Sequence, residues 1–341
     1  MKNIKKILIA GVIGIFVTSS IGCNMVAKTP EAIKNAPVAK VNGETITKEQ
    51  LDLKLAPTKA SFTQQYGADW ESNAQYKTSF EDQKKQARQS MIDDIVILQE
   101  AAKAKVTPTD KEVDDAVKTQ LDTTIKQLGD ETKFAAALTQ YGFTKASYTS
   151  FLKNSLKVGK AEEGLLKNVK IDDAKVQAEY DANKTVKYTT KPNIIHITRI
   201  LSATEADSKA IVVRLNAGED FAKVAAAVST DANTKAAGGD MGDYYYDETK
   251  NTTTLEPVLV KSAKELTVNV ISAPVKTDEG WNVIKITKKE IYPAATFESV
   301  KVAIKATLLN ALKTDTLTAD IKKWEAALGK KIVTTKYDKN M

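Results

Sequence analysis

Lys191-Pro192-Asn193-Ile194-Ile195-His196-Ile197-Thr198 and, further on, Ser229-Thr230-Asp231-Ala232-Asn233-Thr234-Lys235-Ala236-Ala237-Gly238-Gly239-Asp240-Met241-Gly242-Asp243-Tyr244 are the two passages that decide the fold. The first is an apolar, β-branched run that predicts a strand, and it carries the sole histidine of the chain. Between them, residues about 204 to 216 place Ile211, Val212 and Leu215 on one helical face. Gly218 stops that helix, and Asp220 caps a second one with Phe221, Val224 and Val228 on one side. The second passage breaks the helical period, and three glycines within five residues call for backbone at positive φ or in close approach to another segment. A short helix near Pro257 to Leu266 follows, then Ser272-Ala273-Pro274-Val275, a turn at Thr277-Asp278-Glu279-Gly280, and a strand Trp281-Asn282-Val283-Ile284-Lys285-Ile286. Strand, helices, loop, helix and strand in so short a span describe a small α+β domain.

The order Ile194-x-His196-Ile197, then Ser229-x-Asp231 ahead of Gly238-Gly239-Asp240-x-Gly242-x-Tyr244, then Ser272-x-Pro274-Val275-x-Thr277-x-x-Gly280-Trp281-x-Val283-Ile284-Lys285-Ile286 resembles a parvulin-type peptidyl-prolyl isomerase. The helical frame on either side resembles the PrsA/SurA group of extracytoplasmic foldases, in pattern more than in motif. Carried over position by position, the resemblance puts His196 at the first active-site histidine and Asp231 where relatives hold Cys or Asp. Leu255 and Leu259 fall where relatives line the proline pocket with Met and Phe, and Thr277 and Tyr244 join the substrate-binding set. The second histidine of the pattern falls on Asn282, a departure that predicts weak activity. In this reading Asp231 accepts a proton from His196 and fixes its tautomer, while Asn282 bonds the other ring nitrogen. No metal and no cofactor is implied, since one histidine without a cysteine partner makes no ligand set.

A length of 341 residues predicts roughly two domains, and moderate hydrophobicity with few aromatics predicts a globular, soluble body. The formal charge of +7 falls to +4 without the first 22 residues, which hold three lysines and no acid. With both signs spread along the helices and no basic cluster interleaved with aromatics, nucleic-acid binding is excluded as a function class. The resemblance disfavours phosphorylated substrates as well, because Arg199 is followed by Glu205 and Asp207 where phosphate-selective relatives carry a basic cluster.

Residues 1–22 have a basic start and an apolar core from Ile7 to Val17, the arrangement of a signal peptide. That core is too short to span a membrane. Cys23 follows Gly22 in a setting that resembles a bacterial lipobox, with Ser20 where Leu is commoner. A single thiol in an exported chain cannot form an internal disulfide, whereas a diacylglyceryl thioether needs one cysteine. Residues 23–37 then read as a lipidated tether, and the resemblance places the protein on the outer face of the cytoplasmic membrane of a Gram-positive bacterium.

Asn42-Gly43 inside Val38–Thr47 predicts a hairpin, and Thr47-x-x-Gln50 a capping box that starts a helix. From Lys48 to Asn183 the period is helical, with Met91, Ile92, Ile95 and Leu98 in one stripe and a second capping box at Thr109-x-x-Glu112. Thr296 to Leu328 is helical again, and Lys331 to Thr335 reads as a short strand. A strand near each end suggests that the two termini pair. The resemblance implies the fold class that accommodates this, α+β, a mostly helical chaperone domain (38–187 and 293–341) with the parvulin-like domain, an antiparallel sheet flanked by helices, inserted at 188–292.

Rotation about an X-Pro bond faces a barrier of about 18–20 kcal/mol and takes on the order of 10–100 s. A thousandfold acceleration needs about 4 kcal/mol of transition-state stabilisation. An apolar slot for the ring and fixed polar groups around a twisted amide suffice for this, with no nucleophile. The resemblance therefore implies an exported lipoprotein foldase that isomerises X-Pro bonds in unfolded exported proteins and holds them, with a homodimer left open. The alternatives are a chaperone that keeps the parvulin fold only to bind extended segments, and a surface adhesin or solute-binding lipoprotein.

Overall fold

The computed structural model describes residues 29–335, so the expectations about the signal peptide and Cys23 lie outside the described residues. The chain divides into two compact units, one of residues up to Leu165 together with those from Asp320, the other Leu166–Ala319. The second unit is thus an insertion into the first.

The first unit opens with α1 (Pro30–Lys34), whose Thr29 side chain accepts from the Ala32 N–H and whose proline sits in the first turn. Within the segment 23–37 expected as a tether, residues up to 28 lie outside the described residues, 30–34 form this helical turn and Pro37 opens the first strand. Strands β1 (Pro37–Val41) and β2 (Glu44–Thr47) form the expected hairpin, with Asn42 and Gly43 at φ 49° and 93°, the positive values that a primed two-residue turn demands. Both sequence-legible capping boxes are present, at the start of α2 (Lys48–Tyr66) and of α4 (Asp110–Leu128). Helices α3 (Ala74–Lys103), α5 (Glu131–Gln140) and α6 (Lys145–Leu165) complete the run.

The strand at the far end, β7 (Ile332–Thr334), pairs antiparallel with β1 and gives the sheet order β2-β1-β7. Val38, Val41 and Ile46 of this sheet form one buried cluster with Leu51, Ile92 and Val96 of the helices, and Trp324 and Ile332 pack onto it. The first and last strands among the described residues therefore share one core.

The second unit begins with α7 (Asp173–Asn183) and contains a four-stranded antiparallel sheet in the order β4-β3-β6-β5. The strands are β3 (Ile194–Ser202), β4 (Asp240–Tyr245), β5 (Val275–Thr277) and β6 (Gly280–Glu290). Alternation along β3 and β6 supplies two faces. Ile195, Ile197, Ile284 and Ile286 pack against Leu259, Val260 and Ala263 of α10 (Pro257–Glu265). On the other face Ile200 and Val283 meet α8 (Glu205–Asn216) and α9 (Phe221–Val228) through Ile211, Leu215, Phe221 and Val224. The long α11 (Phe297–Leu328) follows, and the division between the units falls within it.

The ends of the parvulin-like segment are tied to each other. Thr190 N–H donates to the Pro293 carbonyl at 2.9 Å and Ala295 N–H to the Tyr188 carbonyl at 2.7 Å. Asn193, buried, reinforces this knot by donating to the Thr185 carbonyl and accepting from Tyr292 N–H.

Candidate active site

The site is built where the glycine-rich loop lies against β3. Thr230 N–H donates to the Leu201 carbonyl at 2.9 Å, and Ser229 Oγ accepts from Leu201 N–H, so the segment after α9 is pinned to the strand. Arg199 N–H donates to the Gly239 carbonyl at 2.8 Å, and a Cβ on Gly239 would lie 2.4 Å from the Arg199 carbonyl oxygen. Glycine is required there by close approach as well as by φ +85°. The Gly-Gly pair thus lets the loop descend onto the strand and carry Asp231 with it.

Asp231 meets Arg199. The guanidinium donates from Nε (3.1 Å) and Nη2 (2.9 Å) to Asp231 Oδ2, and from Nη1 (2.8 Å) to Glu279 Oε2. Both Arg199 and Asp231 are buried, while Glu279 is exposed. Thr234 Oγ1 also donates to Asp231 Oδ2, and Asn233 N–H donates to Oδ1 at 3.1 Å. Burial by itself raises the Asp231 carboxyl, but the Thr234, Arg199 and Asn233 hydrogen bonds and the Arg199 charge outweigh it and hold the group below the usual carboxylate range.

A cavity of about 320 Å³ opens beside this pair, with Met241, Tyr244 and Leu255 as its apolar side and Thr234 and Asn251 among its polar lining. Of the residues expected to form the site, the cavity brings together Asp231, Tyr244 and Leu255. Leu259 lies in the apolar cluster between α10 and the sheet and is not among the lining residues.

His196 is elsewhere, and the expected triad with Asp231 and Asn282 is corrected. Its Nδ1 lies 2.8 Å from Asp243 Oδ1 and its Nε2 2.9 Å from Asp240 Oδ1, both on β4. Strand parity is the reason: Ile195 and Ile197 turn to the α10 face, so His196 turns to the other, while Arg199 shares the cavity with Ile197. Asn282 meets neither residue through a hydrogen bond. Fully buried on β6, it donates through Nδ2 to Thr277 Oγ1 at 2.9 Å and to the Val275 carbonyl at 3.4 Å, and its Oδ1 has no partner among the described residues. Thr277 in turn donates to the Gly280 carbonyl, so Thr277 and Asn282 brace the β5–β6 turn that carries Glu279.

Arg199 is the residue that motif reading passed over. Its signal was present: a cation two residues from Ile197 and Leu201 in an apolar strand is buried on folding and demands a carboxylate.

Residues 1–162 match the SurA-like N-terminal domain family, and residues 188–288 match the PPIC-type PPIASE domain. The chain is 38% identical over 331 residues to the foldase protein PrsA of Clostridium acetobutylicum, covering 96% of each. It is 37% identical to the foldase protein PrsA of Clostridium botulinum strain Okra, covering 100% of both. The crystal structure of the peptidylprolyl isomerase PrsA from Bacillus anthracis aligns at 24% identity and TM-score 0.34, over 68% of this chain and 94% of that one. Identity of this extent along the whole length, together with an insertion that carries the PPIC-type fold, places the chain in the PrsA foldase family, with a peptidyl-prolyl isomerase domain set into a SurA-like helical frame.

Proposed function

We propose that the protein is a foldase held by a lipid on Cys23 at the outer face of the cytoplasmic membrane, where it isomerises X-Pro bonds in unfolded exported chains and holds those chains meanwhile. The catalytic part rests on one observation, the cavity in which the Arg199–Asp231 pair faces the side chains of Met241, Tyr244 and Leu255. Its volume of about 320 Å³ falls within the usual range of small-ligand clefts. A pyrrolidine ring seated on the apolar side sets its imide beside a preorganised cation that needs no reorganisation as the bond twists. Rotation about the bond involves no covalent step, so the site is asked for binding and electrostatics alone.

The holding part is supported by hollows in the helical unit. One of about 370 Å³ is lined by Leu55, Trp70 and Phe80 with lysines and acids at its edge. Another is bordered by Leu53, Met91, Ile95 and Phe151. Among the described residues no helix is long and apolar enough to cross a membrane, and the anchoring assignment rests on Cys23.

A protease-coupled assay with an X-Pro tetrapeptide, run beside aggregation of a refolding client, tests both activities. Acceleration of isomerisation with suppressed aggregation is the expected result, and loss of both would refute the reading. The burial of Asn282 in a purely structural contact with Thr277 favours a second reading, a chaperone that binds without catalysis. Suppression without isomerisation would select it. For the anchor, Cys23→Ala is expected to abolish labelling by a radioactive fatty acid and to release the protein from membranes. Persisting label would remove the lipid assignment.

A further inference from the structure

We infer that Arg199 is a catalytic residue that donates a guanidinium N–H to the prolyl nitrogen of the twisted substrate bond; this role rests on the isomerase reading above. A guanidinium carries five N–H donors. Three of Arg199's are committed, two to Asp231 and one to Glu279, which leaves two for a ligand. Arg199 lines the cavity and is the only cation among the residues that do. The buried Asp231 fixes its inner edge, and the exposed Glu279 its outer edge, so the fork is held in place before a substrate arrives.

The chemistry of the bond decides where such a donor acts. In the planar imide the nitrogen lone pair is delocalised into the carbonyl, so oxygen is the better acceptor and nitrogen accepts nothing. At the twisted transition state that conjugation, the source of the barrier, is lost. The lone pair is then localised on a pyramidal nitrogen, and the oxygen has given up charge. A donor on the oxygen favours the planar ground state, whereas a donor on the nitrogen favours the transition state alone and raises the rate.

The other polar lining groups fit this task poorly. Thr234 spends its hydroxyl proton on Asp231, and Asn251 is engaged at both amide atoms with the Tyr245 backbone. Asp231 and Asp243 are acceptors, which would oppose the developing lone pair. Asn233, Thr252 and Thr253 are exposed side chains, and they and the Tyr244 hydroxyl can accept as readily as donate. A cation with uncommitted protons and no acceptor atom remains at Arg199.

The test uses the whole chain. Arg199→Lys keeps a charge for Asp231 but loses the planar fork. It is expected to lower kcat/KM by about 10- to 100-fold, while affinity for a proline peptide, followed by NMR titration, changes by less than about threefold because ground-state contacts are kept. Arg199→His supplies a second readout. A neutral imidazole gives its single N–H to Asp231 and turns an acceptor toward the substrate, whereas the protonated ring donates on both sides. The histidine variant is therefore expected to lose activity as pH rises through the imidazole range, where the parent stays flat. A folded lysine variant with the parent's kcat/KM, or a folded histidine variant with the parent's flat profile, would overturn the role. Should lysine fail to fold, the histidine profile decides. A parent that shows no isomerisation at all overturns the isomerase reading itself and this role with it, an outcome distinct from an active parent with indifferent variants.

Discussion

Arg199 and Asp231 stand 32 residues apart in sequence, yet two guanidinium nitrogens converge on one carboxylate oxygen at 3.1 and 2.9 Å, both side chains out of solvent. The pair joins the central strand β3 to the loop ahead of the glycines, and it forms one wall of the cavity.

Asp231→Asn should destabilise the isomerase-like unit by roughly 1–3 kcal/mol, because Arg199 is left buried with only Glu279 as a charged partner. The pH dependence follows from the lowered carboxyl. With the folded value below the unfolded one near 4, the pair's stabilisation is complete above about pH 4 and is lost as pH falls through the folded value. Urea titrations at descending pH should show the parent losing stability in that acid window and the asparagine variant losing less. Equal acid sensitivity of the two proteins would contradict the assignment.

The glycines differ in what they do. At Gly239 a methyl group meets the Arg199 carbonyl at 2.4 Å and the backbone has φ +85°, whereas Gly242 has φ +81° with open space around its Cβ position. Gly242→Ala should cost only the left-handed conformation, about 1–2 kcal/mol. Gly239→Ala should cost clearly more, since β3 and the loop must separate, and it should abolish isomerisation. Denaturant midpoints for the two variants check the ranking; similar midpoints would mean that the loop can shift without cost.

His196→Ala removes the ring that stands between Asp240 and Asp243. Stability should fall by about 1 kcal/mol, as for an exposed hydrogen-bonding side chain, and the loss of kcat/KM should be much smaller than that of Arg199→Lys. A large catalytic defect in folded His196→Ala would restore the histidine to the site.

Because the Tyr188–Thr190 and Pro293–Ala295 backbones are hydrogen-bonded to each other, a fragment of residues 188–295 should fold alone with a single cooperative transition. The complementary deletion, with the ends joined, should leave helical circular dichroism and suppression of client aggregation. An unfolded remainder would argue that the inserted unit is needed for the helical unit to fold.

Much of the architecture obeys local rules and is therefore legible in the sequence. The Asn42–Gly43 turn, the capping boxes at Thr47 and Thr109 and the helical period through Ile92 and Val96 each depend on residues within a few positions of one another. The glycines before Asp240 likewise announced a close approach, though not what they approach. Which charges meet is a different kind of question. Asp231 could face His196 or Arg199 from its place in the sequence, and the choice falls to strand parity, to the irregularities in register around Ile197, and to the descent of the loop onto Gly239. An ion pair is set by distances of a few ångströms between segments far apart along the chain. Those distances come from packing of the whole sheet between α10 on one face and α8 with α9 on the other, and only the tertiary structure could turn His196 out of the cavity and Arg199 into it.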